Sequence, residues 1–365
     1  MKNIFEQPTE GGYAYLNKAN ELRAEYNLEA KLDENLPIPE NTISQMIKLI
    51  RKGFSELNNE RGNPYENIMV ELSGGVDSSV ALVLACEAVG PEKTIVVHYK
   101  QHESELETES QDRKNTEYLI KTYNIPEKNI IRADITPVLK QYEKLLIDTT
   151  KGLSEGQQIP SCDAAVWVRT AYAHMIENNR NAMSIDSGCL TEDLYGAFTT
   201  GNHRGHFGLT EKLLKSEVRE LAKQLGLPKQ IWNRPKVSGE VGSTFKSTWG
   251  VDEKHLDVIA IGYLYAEEGS IESLTNYLSE NLGHGKAIIK KIVNKIIEQP
   301  ATRFNTGEPT LKLQSFYEDD LDKPLDLDHC PLSYRYDFQN SQEKWVRELE
   351  KTRKEATKRW YKWSE

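Results

Sequence analysis

The chain reads as an α/β fold: an open parallel sheet with helices on both faces and a helical C-terminal extension. Three features of its 365 residues predict this. Short apolar, β-branched runs alternate with helical stretches of about 10–15 residues, the signature of a parallel sheet covered on both sides. A turn rich in serine and glycine, "ELSGGVDSS" at 71–79, joins one such run to the next helix. Nowhere does an apolar run approach the length that crosses a membrane.

The elements follow in order. Residues 1–38 are polar, interrupted by acidic residues and glycines, and end in the proline-marked "ENLPIPEN", so they are expected to form a peripheral arm. From Thr42, Ile43, Met46, Ile47, Ile50 and Phe54 share one helical face. "NNERGNPYEN" breaks that helix before the strand "IMVEL". Helix "SSVALVLACEAVG", strand "TIVVHYK", helix "ESQDRKNTEYLIKTYN" and strand "NIIRADI" come next, then a helix around "WVRTAYAHMIENNR" and the strand "AMSIDS". After Asp252 two more helices are expected, "VDEKHLDVIAIGYLYAEEG" and "GHGKAIIKKIVNKIIEQ". The expected division is therefore an arm at 1–38, a nucleotide-handling domain at 39–270 and a helical and irregular extension at 271–365.

Composition narrows the partners. A net charge of −10 and a pI near 5.5 disfavour wholesale binding to nucleic acid or to an anionic membrane and favour a small ligand. The basic, Trp-bearing tail "SQEKWVRELEKTRKEATKRWYKWSE" is read as a helix packing against its own fold or a sister subunit. Cys86, Cys162, Cys189 and Cys330 lie far apart with no C-x-x-C pair, which fits neither a disulfide framework nor a zinc site and implies a reducing, cytoplasmic setting. No signal-peptide pattern opens the sequence.

The chemistry starts at the turn. Where a strand ends and a helix begins, several backbone N–H groups lack helical partners, and the positive end of the helix dipole points with them at one spot. That spot suits an anion. The turn is neither G-x-x-x-x-G-K-[ST] nor G-x-G-x-x-G. Gly74 and Gly75 let backbone approach a phosphate, Ser73, Ser78 and Ser79 add hydroxyls, and Asp77 can hold Mg²⁺, whose charge offsets its own.

"SGGVDSS" after a buried strand resembles the pyrophosphate loop of the N-type ATP pyrophosphatases, which have a Rossmann-like, adenine nucleotide alpha-hydrolase-like fold and cleave ATP to AMP and pyrophosphate while adenylating a substrate. A second block, "MSIDSGCLTEDLYGAFTTGNHRGHFGLTEKLLKSEVRELAKQLGLP", is similar to the NAD synthetase stretch G-T-x-x-x-x-E-D-x-x-G-x-F-T followed by an S/T-E-V-R-E-L-A helix. The resemblance covers roughly residues 42–265. It implies that Glu192 is the second Mg²⁺ carboxylate, that Ser187 lies near the nucleotide and that Lys215 meets ATP phosphate. It also matches Arg169 to the arginine of an R-M-x-x-x-Y helix and Ser238 to the hydroxyl residue of a P-P-[ST]-A-[DE] loop.

Departures concern the substrate side. Where the family reads T-K-Y-G-D-G-G, this chain has "TTGNHRG", placing Asn202 or His203 where an acidic residue faces the dinucleotide. Arg204, with His203 and His206 on either side, suits phosphate oxygens, and His174 replaces the helix tyrosine. Arg303 is the one candidate to stand in for the family's C-terminal H-K-R segment.

The activity implied is adenylation of a carboxylate, deamido-NAD first, by ATP with Mg²⁺ and loss of pyrophosphate, followed by attack of ammonia on the acyl-adenylate, which expels AMP and leaves the amide. No glutaminase half precedes the loop, so the nitrogen is expected as free ammonia or from a separate glutaminase. A homodimer is implied, with the helices around 42–56 and 165–180 as its surfaces. Two alternatives remain open: the same chemistry on another carboxylate, and tRNA thiolation with Cys162 or Cys189 as sulfur carrier.

Overall fold

The computed structural model describes residues 41–60, 64–101, 107–149, 161–195, 205–211, 213–234, 249–264, 271–298 and 311–312, with Ile38, Lys151, Thr199, Asn202 and Lys246 as isolated positions. The expected arm and basic tail, Ser238, His203, Arg204 and Arg303 lie outside the described residues.

Helix α1 (Thr42–Glu60) leads into β1 (Asn67–Glu71), α2 (Val76–Val89), β2 (Thr94–Lys100), α3 (Glu107–Thr122) and β3 (Ile130–Asp134). Helices α4 (Thr136–Thr149) and α5 (Ser161–Arg180) then carry the chain back to β4 (Ala182–Asp186). Next come α6 (Leu190–Tyr195), β5 (Phe207–Gly208), α7 (Lys215–Gln224) and α8 (Lys229–Trp232). Helices α9 (Glu253–Leu264), α10 (Ile271–Leu282) and α11 (Lys286–Glu298) precede the two-residue strand β6 (Leu311–Lys312).

All strand pairs among the described residues are parallel, and their order is β3-β2-β1-β4-β5-β6. The expected open parallel α/β sheet is therefore present. The chain winds outward from β1 through β2 to β3, then crosses back to lay β4 on the other side of β1. Order reverses between β1 and β4, so a crevice opens at their carboxyl ends, the place where such sheets bind ligands.

Helix α2 shows why the loop before it is rigid. Val80, Ala81, Leu82, Val83 and Leu84 are all buried, so the helix is apolar on every side, as suits one covered by the sheet and by α1 and α7. The apolar stripe of α1 is spent on this packing, with Met46 and Ile50 fully enclosed. Of the two helices expected as subunit surfaces, α1 turns this stripe toward the core. A second cluster joins Leu194, Leu214, Leu256 and Ile259 to Leu274, Leu278, Ile289 and Ile292. The expected boundary at 270 thus falls between helices that share one hydrophobic cluster. Helix α4 is not among the elements expected from the sequence, although its start carries a helix signal: Asp134 accepts from the Thr136 N–H at 3.0 Å and Pro137 stands in the first turn.

Candidate active site

The turn between β1 and α2 is held from within and from α3. Gly74 has φ +85°, and a Cβ there would come within 2.1 Å of the backbone oxygen of Asp112, so both conformation and close approach demand glycine. The buried amide of Asn115 donates to the Gly74 carbonyl at 3.1 Å and accepts from Gln111 at 2.9 Å. Gly75 differs. Its backbone is extended (φ −78°, ψ 169°), and the nearest atom to a Cβ would be Ser73 Oγ at an ordinary 3.4 Å.

The serines divide by role. Ser73 and Ser78 hydroxyls lie 3.0 Å apart, and Ser73 Oγ accepts from the Gly75 N–H at 3.3 Å, so they brace the loop across its mouth. Ser79 is buried and donates to the Gly75 carbonyl at 2.6 Å. Its hydroxyl hydrogen serves the first turn of α2.

Asp77, in that same first turn, meets Lys215 from the start of α7. Lys215 Nζ lies 2.6 Å from each Asp77 oxygen and 2.9 Å from Glu192 Oε1, with the lysine fully buried and the carboxylates 18% and 15% exposed. Burial alone would pull the ammonium's pKa down, but the neighbouring Asp77, Cys189 and Glu192 outweigh it and hold the lysine well above its ordinary value. Asp77, Glu192 and Cys189 offer ligand atoms within 4.8 Å of one another, the one such cluster among the described residues. Two partly exposed carboxylates fit a hard divalent cation that keeps some of its water, whereas the Cys189 thiol is foreign to magnesium.

The lysine is aimed by a buried carboxylate absent from the sequence reading. Asp257 of α9 accepts from the Ser216 N–H at 2.7 Å and from Thr191 Oγ1 at 2.5 Å, and Thr191 Oγ1 in turn accepts from the Lys215 N–H at 2.8 Å. Glu217 completes the start of α7 by accepting from the Leu214 N–H at 2.8 Å. Burial, opposed by the hydrogen bonds of Ser216 and Thr191, pushes Asp257 up to about 6.

Beyond the carboxyl ends of β1 to β4 lies a cleft of about 800 Å³ whose wall includes Ser73, Tyr99, Arg169, Asp186, Ser187 and Asn202. The crevice thus brings together Ser73, Arg169, Ser187 and Asn202 from four separate parts of the chain. The Tyr99 hydroxyl and Asn202 Oδ1 are buried there with no hydrogen-bond partner among the described residues. The tyrosine's pKa is raised by burial and by Glu71, against the opposing pull of Arg169.

His174 and His206 are placed elsewhere. His174 Nδ1 is 2.9 Å from Glu177 Oε2, and His206 Nδ1 is 3.0 Å from Ser184 Oγ and 3.4 Å from Glu177 Oε1. The ring of His206 stands edge-on to Tyr65, at the amino-terminal side of β1. Neither histidine lines the cleft, and both are accounted for by the buried Glu177. Asn115 had a legible signal, since it falls four residues before the buried Leu119 on the stripe of α3 that faces the sheet. Asp257 and Arg234 carried none.

A family model described as NAD synthase matches residues 33–296. The chain belongs to the NAD synthase family. Among its relatives, the NH(3)-dependent NAD(+) synthetase of Pyrobaculum aerophilum is 28% identical over 188 residues, covering 49% of this chain and 66% of its own length. That of Methanocaldococcus jannaschii is 27% identical over 262 residues, covering 70% and 94%. In fold, the chain is similar to an NMN synthetase from Francisella tularensis, with a TM-score of 0.53, 21% identity and coverage of 68% and 94%. As an NAD synthase family member the chain is a ligase forming C–N bonds, and the family's chemistry is ATP-dependent amidation giving NAD. Among the described residues, no helix is long and apolar enough to cross a membrane.

Proposed function

We propose that this NAD synthase family member adenylates the carboxylate of deamido-NAD with ATP and transfers ammonia to it, releasing AMP and pyrophosphate and forming NAD. The observation that carries the reading is the meeting of Asp77, Lys215 and Glu192 at the mouth of the Ser73–Ser79 loop. A carboxylate is a poor acyl donor. Its oxygen attacks the α-phosphorus, the bond to the β-phosphate bridging oxygen breaks, and negative charge grows on the departing pyrophosphate. The N–H groups at the start of α2 and the buried ammonium of Lys215 are fixed before that charge appears, so they need little reorganisation to stabilise it. Gly75 supports the same reading, since nothing in the protein demands glycine there and a missing side chain leaves room for a ligand.

Bound Mg²⁺, with Asp77 and Glu192 as its protein ligands, would supply neutralisation of the phosphate charge. Ammonia then attacks the acyl carbon, AMP leaves with the bonding pair, and a proton passes to solvent. Free ammonia is the nitrogen source proposed, with a separate glutaminase as the alternative supplier. The 800 Å³ cleft, with Arg169, Ser187, Tyr99 and Asn202 on its wall, is assigned to the nucleotide. His203 and Arg204 are assigned to the substrate's phosphates and Ser238 to ATP. A cytoplasmic setting is proposed, in keeping with four cysteines spaced without a disulfide framework.

A second substrate reading rests on the loss of the family's acidic residue in "TTGNHRG". Such a charge-assisted partner is typically worth ~1–3 kcal/mol, so its absence favours an acid that lacks the second nucleotide half, such as nicotinate mononucleotide. The test supplies ATP, Mg²⁺ and ammonium with either acid and follows AMP, pyrophosphate and amide by chromatography. Equal amounts of AMP and NAD from deamido-NAD support the main reading, turnover of the mononucleotide alone moves the assignment to the second, and ADP with phosphate would overturn both.

A further inference from the structure

Arg234, two residues beyond the end of α8, has no part in the proposed nucleotide site. Its guanidinium contacts Asp112 Oδ1, an ion pair reaching across 122 residues to α3. Asp112 is the residue whose backbone oxygen packs against Gly74, and it also lines the cleft beside Ser73. Arg234 is therefore paired with a residue whose backbone packs against the loop.

The chain around it is fixed. Buried Arg219 donates to the carbonyl of Trp232 at 2.8 Å and to that of Arg234 itself at 2.7 Å, and it pairs with Glu253. Three anchors, Arg219, Asp112 and the packing of α8 on α2, thus set the position of one guanidinium. A carboxylate beside an anion nest repels the ligand the nest is built for unless a cation cancels it. Asp112 stands in that position, and Arg234 is the cation paired with it.

Resting on the proposed ATP chemistry, we infer that Arg234 is a second phosphate-binding cation of this site, parked on Asp112 and turning to the pyrophosphate when the loop is filled. A guanidinium presents five N–H donors in a planar fork that suits phosphate oxygens. Lys215, locked between two carboxylates, supplies charge from one side of the loop, and Arg234 supplies it from the α3 side.

Calorimetry of the full chain with inorganic pyrophosphate and Mg²⁺ tests this, on wild type, Arg234→Gln, Arg234→Lys and Asp112→Asn, with thermal midpoints recorded for each. Arg234→Gln is expected to weaken pyrophosphate binding about 10- to 100-fold, and Arg234→Lys to recover part of the loss. Asp112→Asn is expected to bind as tightly as wild type or more so, because it frees the guanidinium. If Arg234 merely braces the fold, both partners of the pair weaken binding alike, and that result overturns the inference. So does unchanged binding by both Arg234 variants while wild type binds. No pyrophosphate binding by wild type would instead sink the ATP pyrophosphatase reading on which the inference rests.

Discussion

Lys215 and Asp77 meet through both carboxylate oxygens, 2.6 Å each, across 138 residues of sequence, inside a site where the lysine has no solvent exposure. With Glu192 at 2.9 Å on the other side, the ammonium neutralises the two carboxylates proposed to hold a divalent cation. A cation binding there without ATP would meet that positive charge. Removing one partner of a buried pair leaves charge uncompensated, typically at a cost of ~3–5 kcal/mol.

Lys215→Met is therefore expected to lose amidation activity by about 100-fold or more and to lower the unfolding free energy measured in urea. The same variant is expected to bind Mn²⁺ without ATP, read by electron paramagnetic resonance, more tightly than wild type. Weaker Mn²⁺ binding in the variant would show that the lysine's charge does not oppose a cation there.

Gly74 and Gly75 are expected to respond differently to alanine. At Gly74, positive φ and a clash with Asp112 backbone should cost about 2 kcal/mol or more of stability. At Gly75 the backbone suits alanine, so thermal stability should hold while ATP affinity falls. Chemical denaturation and nucleotide titration of both variants check this, and unaltered ATP binding in Gly75→Ala would count against a phosphate lying over that residue.

Asp257 makes stability depend on pH. Its carboxyl is pushed up to about 6 from 3.8, chiefly by burial, so between those values the folded chain keeps a proton that the unfolded chain has lost. The stability contributed is fully present below about pH 4 and declines as pH rises to about 6, by up to about 3 kcal/mol. Asp257→Asn cannot titrate. Its urea midpoint should vary less than wild type's over this window, and parallel profiles would refute the shift.

Association is expected through the α4 and α5 layer. Val138, Leu145 and Met175 are more than half exposed there, while the stripe of α1 is already consumed. A homodimer is proposed, and Leu145→Glu or Met175→Glu should shift it toward monomer in light scattering at micromolar concentration. A wild-type chain that is monomeric throughout would dispose of the idea.

The amino-acid sequence by itself determined the alternation of strands and helices, the serine- and glycine-rich turn at 73–79 and the likeness that singled out Glu192 and Lys215. These are local signals: periodicity, turn chemistry and motif spacing reside in contiguous residues. Strand β2 falls on the residues expected of it, Thr94–Lys100, because its β-branched run has clear ends. Tertiary structure decided which polar groups face one another. It turned Ser79 toward the Gly75 carbonyl, His174 and His206 toward Glu177, and Arg234 toward Asp112. It also buried Asp257 under the start of α7, 41 residues from the Ser216 N–H it accepts from. Such partners are chosen by where the sheet's reversal between β1 and β4 and the packing of α7 on α2 bring distant backbone together, and a one-dimensional pattern carries no record of that meeting.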